Sequence, residues 1–487
     1  MNCLKIFLII TIVFALKTGH PLNAQDFPTQ EQVLEKMTLA NDYFVNKWPD
    51  PTIDIVTDRA RPSNIWTRST YYEGLMALYE IDPEESYYNY AVQWGEGHNW
   101  EPAYGGTWTT NADNQCCGQT YLELYQIDPQ SERLEKIKTT IDRMVNNDTK
   151  DYWWWIDALQ MAMPVFAKLG AITEDSSYFE KMYDIYYYTK TQHGDNGLYN
   201  PEDHLWWRDE NFDPPYTAPN GEDTYWSRGN GWVFAALSRV LDVMPENAPH
   251  REEYVTTFQD MAEALILVQR EDGFWNVSLH DPNDFGGKET SGTAFFTFGL
   301  AWGVNNGLLT DEKFTTAAVK AWNAMVNDAL HPDGFLGYVQ STGKQPSDGQ
   351  PVTYDSVPNF EDYGLGAFLL AGSEIYKLPD AVSHVKEDNE SFLPEATILR
   401  VAYPNPFNLS TNITFNLNKP SSVTLSIYDI MGSEIFSFFN GAPLGAGEFK
   451  VTWHGQNKTG QQVSSGMYVI RLETGTSVKT RKVILQK

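Results

Sequence analysis

The sequence predicts an all-α (α/α)6 barrel followed by a small all-β sandwich. Three observations carry that reading. A helix–loop–helix unit recurs through residues 25–379, each second helix leads into a loop of glycine and aromatic residues, and the composition changes abruptly at Arg400.

The recurring unit shows in LMALYEIDPEESYYNYAVQW, YLELYQIDPQSERLEKIKTTI, FAKLGAITEDSSYFEKMYDIYYY and WGVNNGLLTDEKFTTAAVKAW. An apolar helix end crosses a short polar loop, and an aromatic opens the next helix. The following loops read GDNGLYN, REDGFWN and HPDGFLGY, where Asp-Gly and Asn-Gly pairs supply sharp turns. Apolar spacing marks twelve helices, at about 30–46, 68–80, 85–98, 115–125, 131–146, 154–168, 176–191, 229–244, 251–270, 290–305, 312–329 and 361–376. The even-numbered helices are the more apolar and glycine-containing set, which suits an inner ring. Every loop leading into an inner helix then opens on one mouth. Those six positions carry Trp66-Thr67-Arg68, Asp113, Asp157, Trp226-Ser227-Arg228, Glu289-Thr290-Ser291 and Glu361-Asp362-Tyr363. Helix N-termini favour anions, so the mouth suits an acidic ligand.

Residues 380–399 are polar and aperiodic and read as a linker. Beyond them, short alternating runs predict strands at Asn412–Leu417, Ser422–Tyr428, Glu434–Phe439, Glu448–Trp453, Met467–Glu473 and Lys479–Leu485. Residues 400–487 hold nine Lys/Arg against four Asp/Glu, whereas the whole chain carries a net charge of −29, so the acidity lies in the first domain. A charge of that sign argues against nucleic acid and against an anionic membrane surface. At the other end, Lys5, the apolar run Ile6–Leu16 and the small residues up to Ala24 predict a signal peptide over 1–24, too short to span a bilayer. Cys3 leaves with it. The remaining pair, Cys116 and Cys117, is adjacent and forms no disulfide framework, so a large core must supply the stability.

The 16 Trp, 27 Tyr and 25 Phe suggest either a large core or a sugar-stacking surface. Asp157 sits in Trp153-Trp154-Trp155-Ile156-Asp157 at the start of an inner helix, where desolvation favours a proton-transfer role; satisfaction by backbone amides is the alternative. Asp113 is either its partner carboxylate or an N-cap. Arg228, flanked by Trp226 and Trp232, fits a carboxylate or sugar hydroxyls, or else caps inner carbonyls. His204 lies in a loop over the mouth. The nine histidines show no HExxH or paired spacing, and no phosphate- or dinucleotide-binding glycine pattern occurs, so no metal or cofactor is expected.

Several segments in order resemble glycoside hydrolase family 105, the unsaturated rhamnogalacturonyl and related uronyl hydrolases close to family 88. They are Tyr72-Glu73-Gly74-Leu75, Asp113 with Gly118, Trp155-Ile156-Asp157-Ala158-Leu159-Gln160-Met161 with Pro164, Ser227-Arg228-Gly229-Asn230-Gly231-Trp232 and Glu289-Thr290-Ser291-Gly292-Thr293-Ala294. The resemblance covers essentially the whole first domain. The family's Tyr-His-Ala-Trp-like segment is replaced here by Leu198 to Trp207, which contains His204. The resemblance implies an enzyme that removes a 4,5-unsaturated uronic acid from lyase-generated oligosaccharides of ulvan or rhamnogalacturonan, by hydration of the C4=C5 bond. It implies Asp157 as acid and base and Asp113 as its orienting partner. It also implies substrate contacts from Arg228, Trp226, Trp232, His204, Tyr72, Trp66 and Glu289. A conventional inverting glycosidase using the same two carboxylates, or a non-catalytic sugar-binding protein, are the competing expectations. The tail is similar to a type A sorting domain of the type IX secretion system. Tyr403-Pro404-Asn405-Pro406-Phe407, Ile427-Tyr428-Asp429, Gly466-Met467-Tyr468-Val469 and the basic end carry that likeness, which implies export across the outer membrane and a partnership with the secretion machinery.

Overall fold

The structure is a computed structural model that describes residues 27–378 and, with short breaks, 398–486. The signal peptide over 1–24 and most of the linker lie outside the described residues, as do Tyr403, Pro404 and Pro406. The chain forms two compact units that divide at His384 and Val385.

Twelve helices of ten or more residues build the first unit. They are α1 (Gln30–Lys47), α2 (Trp66–Ile81), α3 (Glu85–Gly97), α4 (Gly118–Ile127), α5 (Glu132–Val145), α6 (Asp157–Thr173), α7 (Ser177–Thr191), α8 (Ser227–Val243), α9 (Arg251–Leu267), α10 (Thr290–Asn305), α11 (Glu312–Ala324) and α12 (Asp362–Lys377). Each matches an expected segment. A one-turn helix, Ala112–Gln115, precedes α4, and a π turn, Met325–Ala329, extends α11.

Two patterns of burial separate these helices. In α8 every residue from Ser227 to Leu241 is buried, and α10 and α12 are buried over comparable lengths. A helix apolar all round must sit inside. In α5 only Arg133, Ile137, Thr140, Ile141 and Met144 are buried, a stripe at three- and four-residue spacing. The even-numbered helices pack on one another in succession: α2 on α4, α4 on α6, α6 on α8, α8 on α10, α10 on α12 and α12 back on α2. Odd-numbered helices pack against them from outside. Glycine sets the closest crossing, where a Cβ on Gly366 of α12 would lie 2.1 Å from the Thr70 carbonyl of α2. One core of aliphatic and aromatic side chains runs through the unit, so no disulfide is needed, and Cys116 and Cys117 are both free and buried.

The second unit has two antiparallel sheets. One orders β7 (Val478–Leu485), β6 (Gly466–Thr474), β3 (Ser421–Asp429) and β4 (Glu434–Leu444). The other orders β1 (Ile398–Leu399), β2 (Thr411–Leu417) and β5 (Gly447–Trp453). Both contribute to one core that includes Phe415, Ile427, Trp453 and Ile470, which is the alternation of a sandwich. Among the described residues no helix is long and apolar enough to cross a membrane.

Candidate active site

The N-termini of the even-numbered helices share one end of the helical unit, as contacts between them show. Trp66 at the start of α2 meets Trp232 of α8 and Tyr363 of α12, with ring centroids 6.0 and 5.5 Å apart. Arg68 of α2 pairs with Asp362 of α12, Nε to Oδ2 at 2.7 Å. Arg228 of α8 donates to Ser291 Oγ of α10 at 3.3 Å.

Two carboxylates lie together at this end. Asp157 is the first residue of α6, and Asp113 lies in the one-turn helix before α4. Asp113 keeps partial exposure yet is crowded; burial, reinforced by the charge of Asp157, pushes its carboxyl up to about 7, against an opposing pull from Arg208. Asp113 is thus a carboxyl of raised proton affinity. Arg208 lies beside both carboxylates. Its Nε donates to Asp157 Oδ2 at 3.1 Å and its Nη1 to Asp209 Oδ2 at 2.6 Å. These bonds use two of the five N–H donors of a guanidinium.

Arg208 reaches Asp157 because the segment around it lies beside the start of α6. The Ile156 amide donates to the Arg208 carbonyl, and Trp155 bridges Asp209. The preceding residue pair is fixed by Asn230 of α8: it accepts from the Trp206 amide at 2.8 Å and donates to the Trp206 carbonyl at 3.0 Å. Sequence reasoning stopped at Trp207 and missed Arg208. The available signal was an arginine and an aspartate directly after two tryptophans in a loop bound for the mouth.

A second group ties the two carboxylate-bearing segments from below. Gln160, one turn after Asp157, donates to Glu73 Oε2 at 2.7 Å, and Cys116, three residues after Asp113, donates to Glu73 Oε1 at 3.4 Å. Arg239 of α8 lies 3.5 Å from the same carboxylate and donates to Glu123 at 2.7 Å. Burial pushes Glu73 up to about 7 against the pull of Arg239.

Other expected contacts are placed differently. Tyr72 is fully buried and stacks on Trp94 of α3 at 3.9 Å, so it packs α2 against an outer helix. Trp232 is equally buried, packed on Phe295. Trp226 is buried too, with its Nε1 donating to Gln340 Oε1 at 2.9 Å. Arg228 lies at 1% exposure with donors to the Gln340 and Ser341 carbonyls, both at 2.8 Å, so it braces the 340–341 segment. Glu289 is the N-cap of α10 and accepts from the Ser291, Gly292 and Gln340 amides. His204 Nδ1 lies 3.1 Å from the Tyr199 hydroxyl and 3.8 Å from Asp260 of α9. Trp66 remains half-exposed at the mouth. Among the described residues no group of three or more His, Cys, Asp or Glu is arranged to hold a metal ion.

Two carboxylates of unlike surroundings beside one arginine, at a ring of helix N-termini, suit proton transfer to an anionic ligand. Residues 36–379 match the model of Glycosyl Hydrolase Family 88, and residues 401–486 match the secretion system C-terminal sorting domain. The chain belongs to glycosyl hydrolase family 88. This family 88 member is a glycoside hydrolase, and its sorting domain indicates type IX secretion to the outside or the cell surface. It is 35% identical over 340 residues to the unsaturated 3S-rhamnoglycuronyl hydrolase of Formosa agariphila, covering 65% of this chain and 85% of that protein. A solved family 88 structure from Bacteroides vulgatus is 34% identical, with a TM-score of 0.65 over 72% of this chain and all of that one. Another solved structure, titled a polysaccharide lyase, is 32% identical with a TM-score of 0.66, covering 74% of this chain and 99% of that one. The family and the Formosa agariphila relative support an unsaturated uronyl hydrolase activity for this chain.

Proposed function

We propose that the protein removes a 4,5-unsaturated uronic acid from the non-reducing end of lyase-generated oligosaccharides by hydrating the C4=C5 bond. The observation that carries this is the Asp113–Asp157–Arg208 cluster, which pairs a proton-holding carboxyl with a carboxylate and a cation at one mouth. The unsaturated sugar is an enol ether. A proton placed on C4 leaves an oxocarbenium-like centre at C5 stabilised by the ring oxygen. Water adds at C5, and its proton returns to the carboxylate. The resulting hemiketal opens, and the hemiacetal at C1 then collapses to release the neighbouring sugar as an alcohol.

In this reading Asp157 faces the reacting carbons, and Asp113 supplies and recovers the proton that the pair shares. Arg208 holds the uronate carboxylate with its remaining donors. Trp66 borders the ring. The Formosa agariphila relative's name supports a uronate–rhamnose substrate of ulvan type, with rhamnogalacturonan as the other source. The succession of inner helices and the outer set supports a closed (α/α)6 barrel over residues 25–379. A signal peptide over 1–24, a linker at 380–399 and a sorting domain at 400–487 complete the route through the periplasm and outer membrane.

The test is absorbance near 235 nm, where the conjugated uronate absorbs, with lyase-digested ulvan and lyase-digested rhamnogalacturonan as separate substrates. Loss of absorbance with the wild type and none with Asp157→Asn supports hydration, and the faster digest names the polymer. Sugar release from undigested polymer with constant absorbance would establish an ordinary glycosidase instead.

A further inference from the structure

Six aromatic side chains stand exposed on the helical unit among the described residues. All but Tyr187 lie on loops that lead into the mouth: Tyr104, Trp108, Trp154, Tyr216 and Phe285. Exposed aromatic surface marks a place a ligand can cover, and these five residues sit on loops that enter the even-numbered helices.

Trp108 is 75% exposed and Trp154 49%. Each is fixed from behind. The Arg143 guanidinium, in the last turn of α5, lies over the Trp108 ring 3.4 Å from its centroid, which covers one face and leaves the other bare. Trp154 rests against the buried Trp155 ring, with centroids 4.5 Å apart. Tyr104 precedes Trp108 through a run of left-handed backbone, Tyr104 at φ 36°, Gly105 at 71° and Gly106 at 50°. Two of those three positions are glycine, which tolerates that conformation. The resulting 3-10 turn, Gly106–Trp108, sets the ring at the rim. Thr109 anchors the loop by accepting from Asn114 Nδ2 at 2.9 Å.

Both plates stand next to the chemistry in the chain. Trp108 is five residues before Asp113, and Trp154 is three before Asp157. Their loops lead to α4 and α6, and the outer helix α5 between these two carries Arg143. An unsaturated uronate seated on the two carboxylates leaves the rest of its oligosaccharide outside the pocket, over this sector of the rim. The flat apolar C–H face of a pyranose matches an indole face.

We propose that Trp108 and Trp154 form a stacking ramp for the saturated sugars on the leaving-group side, so that the enzyme discriminates by chain length. This rests on the hydrolase reading above. The ramp acts on the oligosaccharide beyond the cleaved bond and takes no part in proton transfer.

The experiment compares kcat/KM for the unsaturated disaccharide and the unsaturated hexasaccharide from one lyase digest, in the full chain and in Trp108→Ala and Trp154→Ala. The wild type is expected to favour the hexasaccharide, and each variant to lower that hexasaccharide-to-disaccharide ratio about tenfold, equivalent to ~1.4 kcal/mol. Tyr187→Ala, which removes an exposed aromatic on an outer helix, is expected to keep the ratio. A ratio unaltered in both tryptophan variants overturns the ramp, as does an equal loss on both substrates. In parallel, the saturated hexasaccharide is titrated against intrinsic tryptophan fluorescence. Quenching in the wild type that is lost in Trp108→Ala supports the ramp even if no unsaturated sugar is turned over, in which case the hydrolase reading alone fails. Absence of quenching in the wild type overturns the ramp.

Discussion

At the scale of single residues the chemistry depends on how differently Asp113 and Asp157 are surrounded. Asp113 holds its proton up to about pH 7, whereas its ordinary value is 3.8. If that proton reaches C4, activity is full while Asp113 is protonated and is lost as pH rises through about 7. The expected pH profile of kcat/KM therefore falls on its alkaline side near that value. Asp113→Asn cannot lend a proton, and its residual activity is expected to be at least 100-fold lower (~2.7 kcal/mol) without that limb, read by the 235 nm assay across pH 5 to 9. Arg208 is the second residue-scale test. Arg208→Lys keeps the charge but loses the planar fork that meets Asp157 and Asp209, so KM for the unsaturated uronate is expected to rise about tenfold. An unaltered KM would assign the uronate to another cation.

At the scale of helices, spacing between carboxylates is set by groups that never touch the ligand. Glu73 of α2 receives Gln160 from α6 and Cys116 from the segment before α4, and Arg239 of α8 lies against it. Its carboxyl is raised to about 7 from 4.5. The unfolded chain ionises it near the lower value and the folded chain near the higher. Folding therefore loses stability as pH rises from about 4.5 to 7, by an upper bound on the order of 3 kcal/mol. Glu73→Gln removes that titration, so the difference in Tm between pH 5 and pH 8 is expected to shrink. An unchanged difference would show that Glu73 is ionised throughout. The crossing of α2 and α12 makes a simpler demand. Gly366→Ala would place a methyl 2.1 Å from the Thr70 carbonyl and force the helices apart, with an expected loss of about 2 kcal/mol measured by urea unfolding.

At the scale of the whole molecule two cores are built from separate stretches of chain, one of helices and one of two sheets. They bear opposite charge, since the basic tail follows an acidic helical unit. Each core closes on its own residues, so the helical unit is expected to work without the tail. A chain ending at His384 is expected to keep its kcat/KM within about twofold, while losing export to the medium in a type IX-competent host. Loss of activity on truncation would show that the second unit contributes to catalysis.

The sequence by itself determined the twelve helices, the six later strands and the passage from helices to strands, because apolar periodicity and turn residues are local properties. The same reading put Trp66 and Asp157 near the starts of even-numbered helices and Asp113 just ahead of another, where the structure has them. What each residue does there was decided by the tertiary structure. Arg228, Trp226, Trp232 and Glu289 share motifs with the catalytic candidates, yet packing buries them and spends their polar atoms on backbone and neighbouring side chains. Arg208 is separated from Asp157 by fifty-one positions and reaches it only because Asn230 pins the intervening loop. The raised proton affinity of Asp113, set first by burial and then by the charge of Asp157, and the pairing of Asp157 with Arg208 likewise follow from surroundings in space. Charge and burial act through space, and sequence spacing records them only where chain neighbours remain neighbours in the fold.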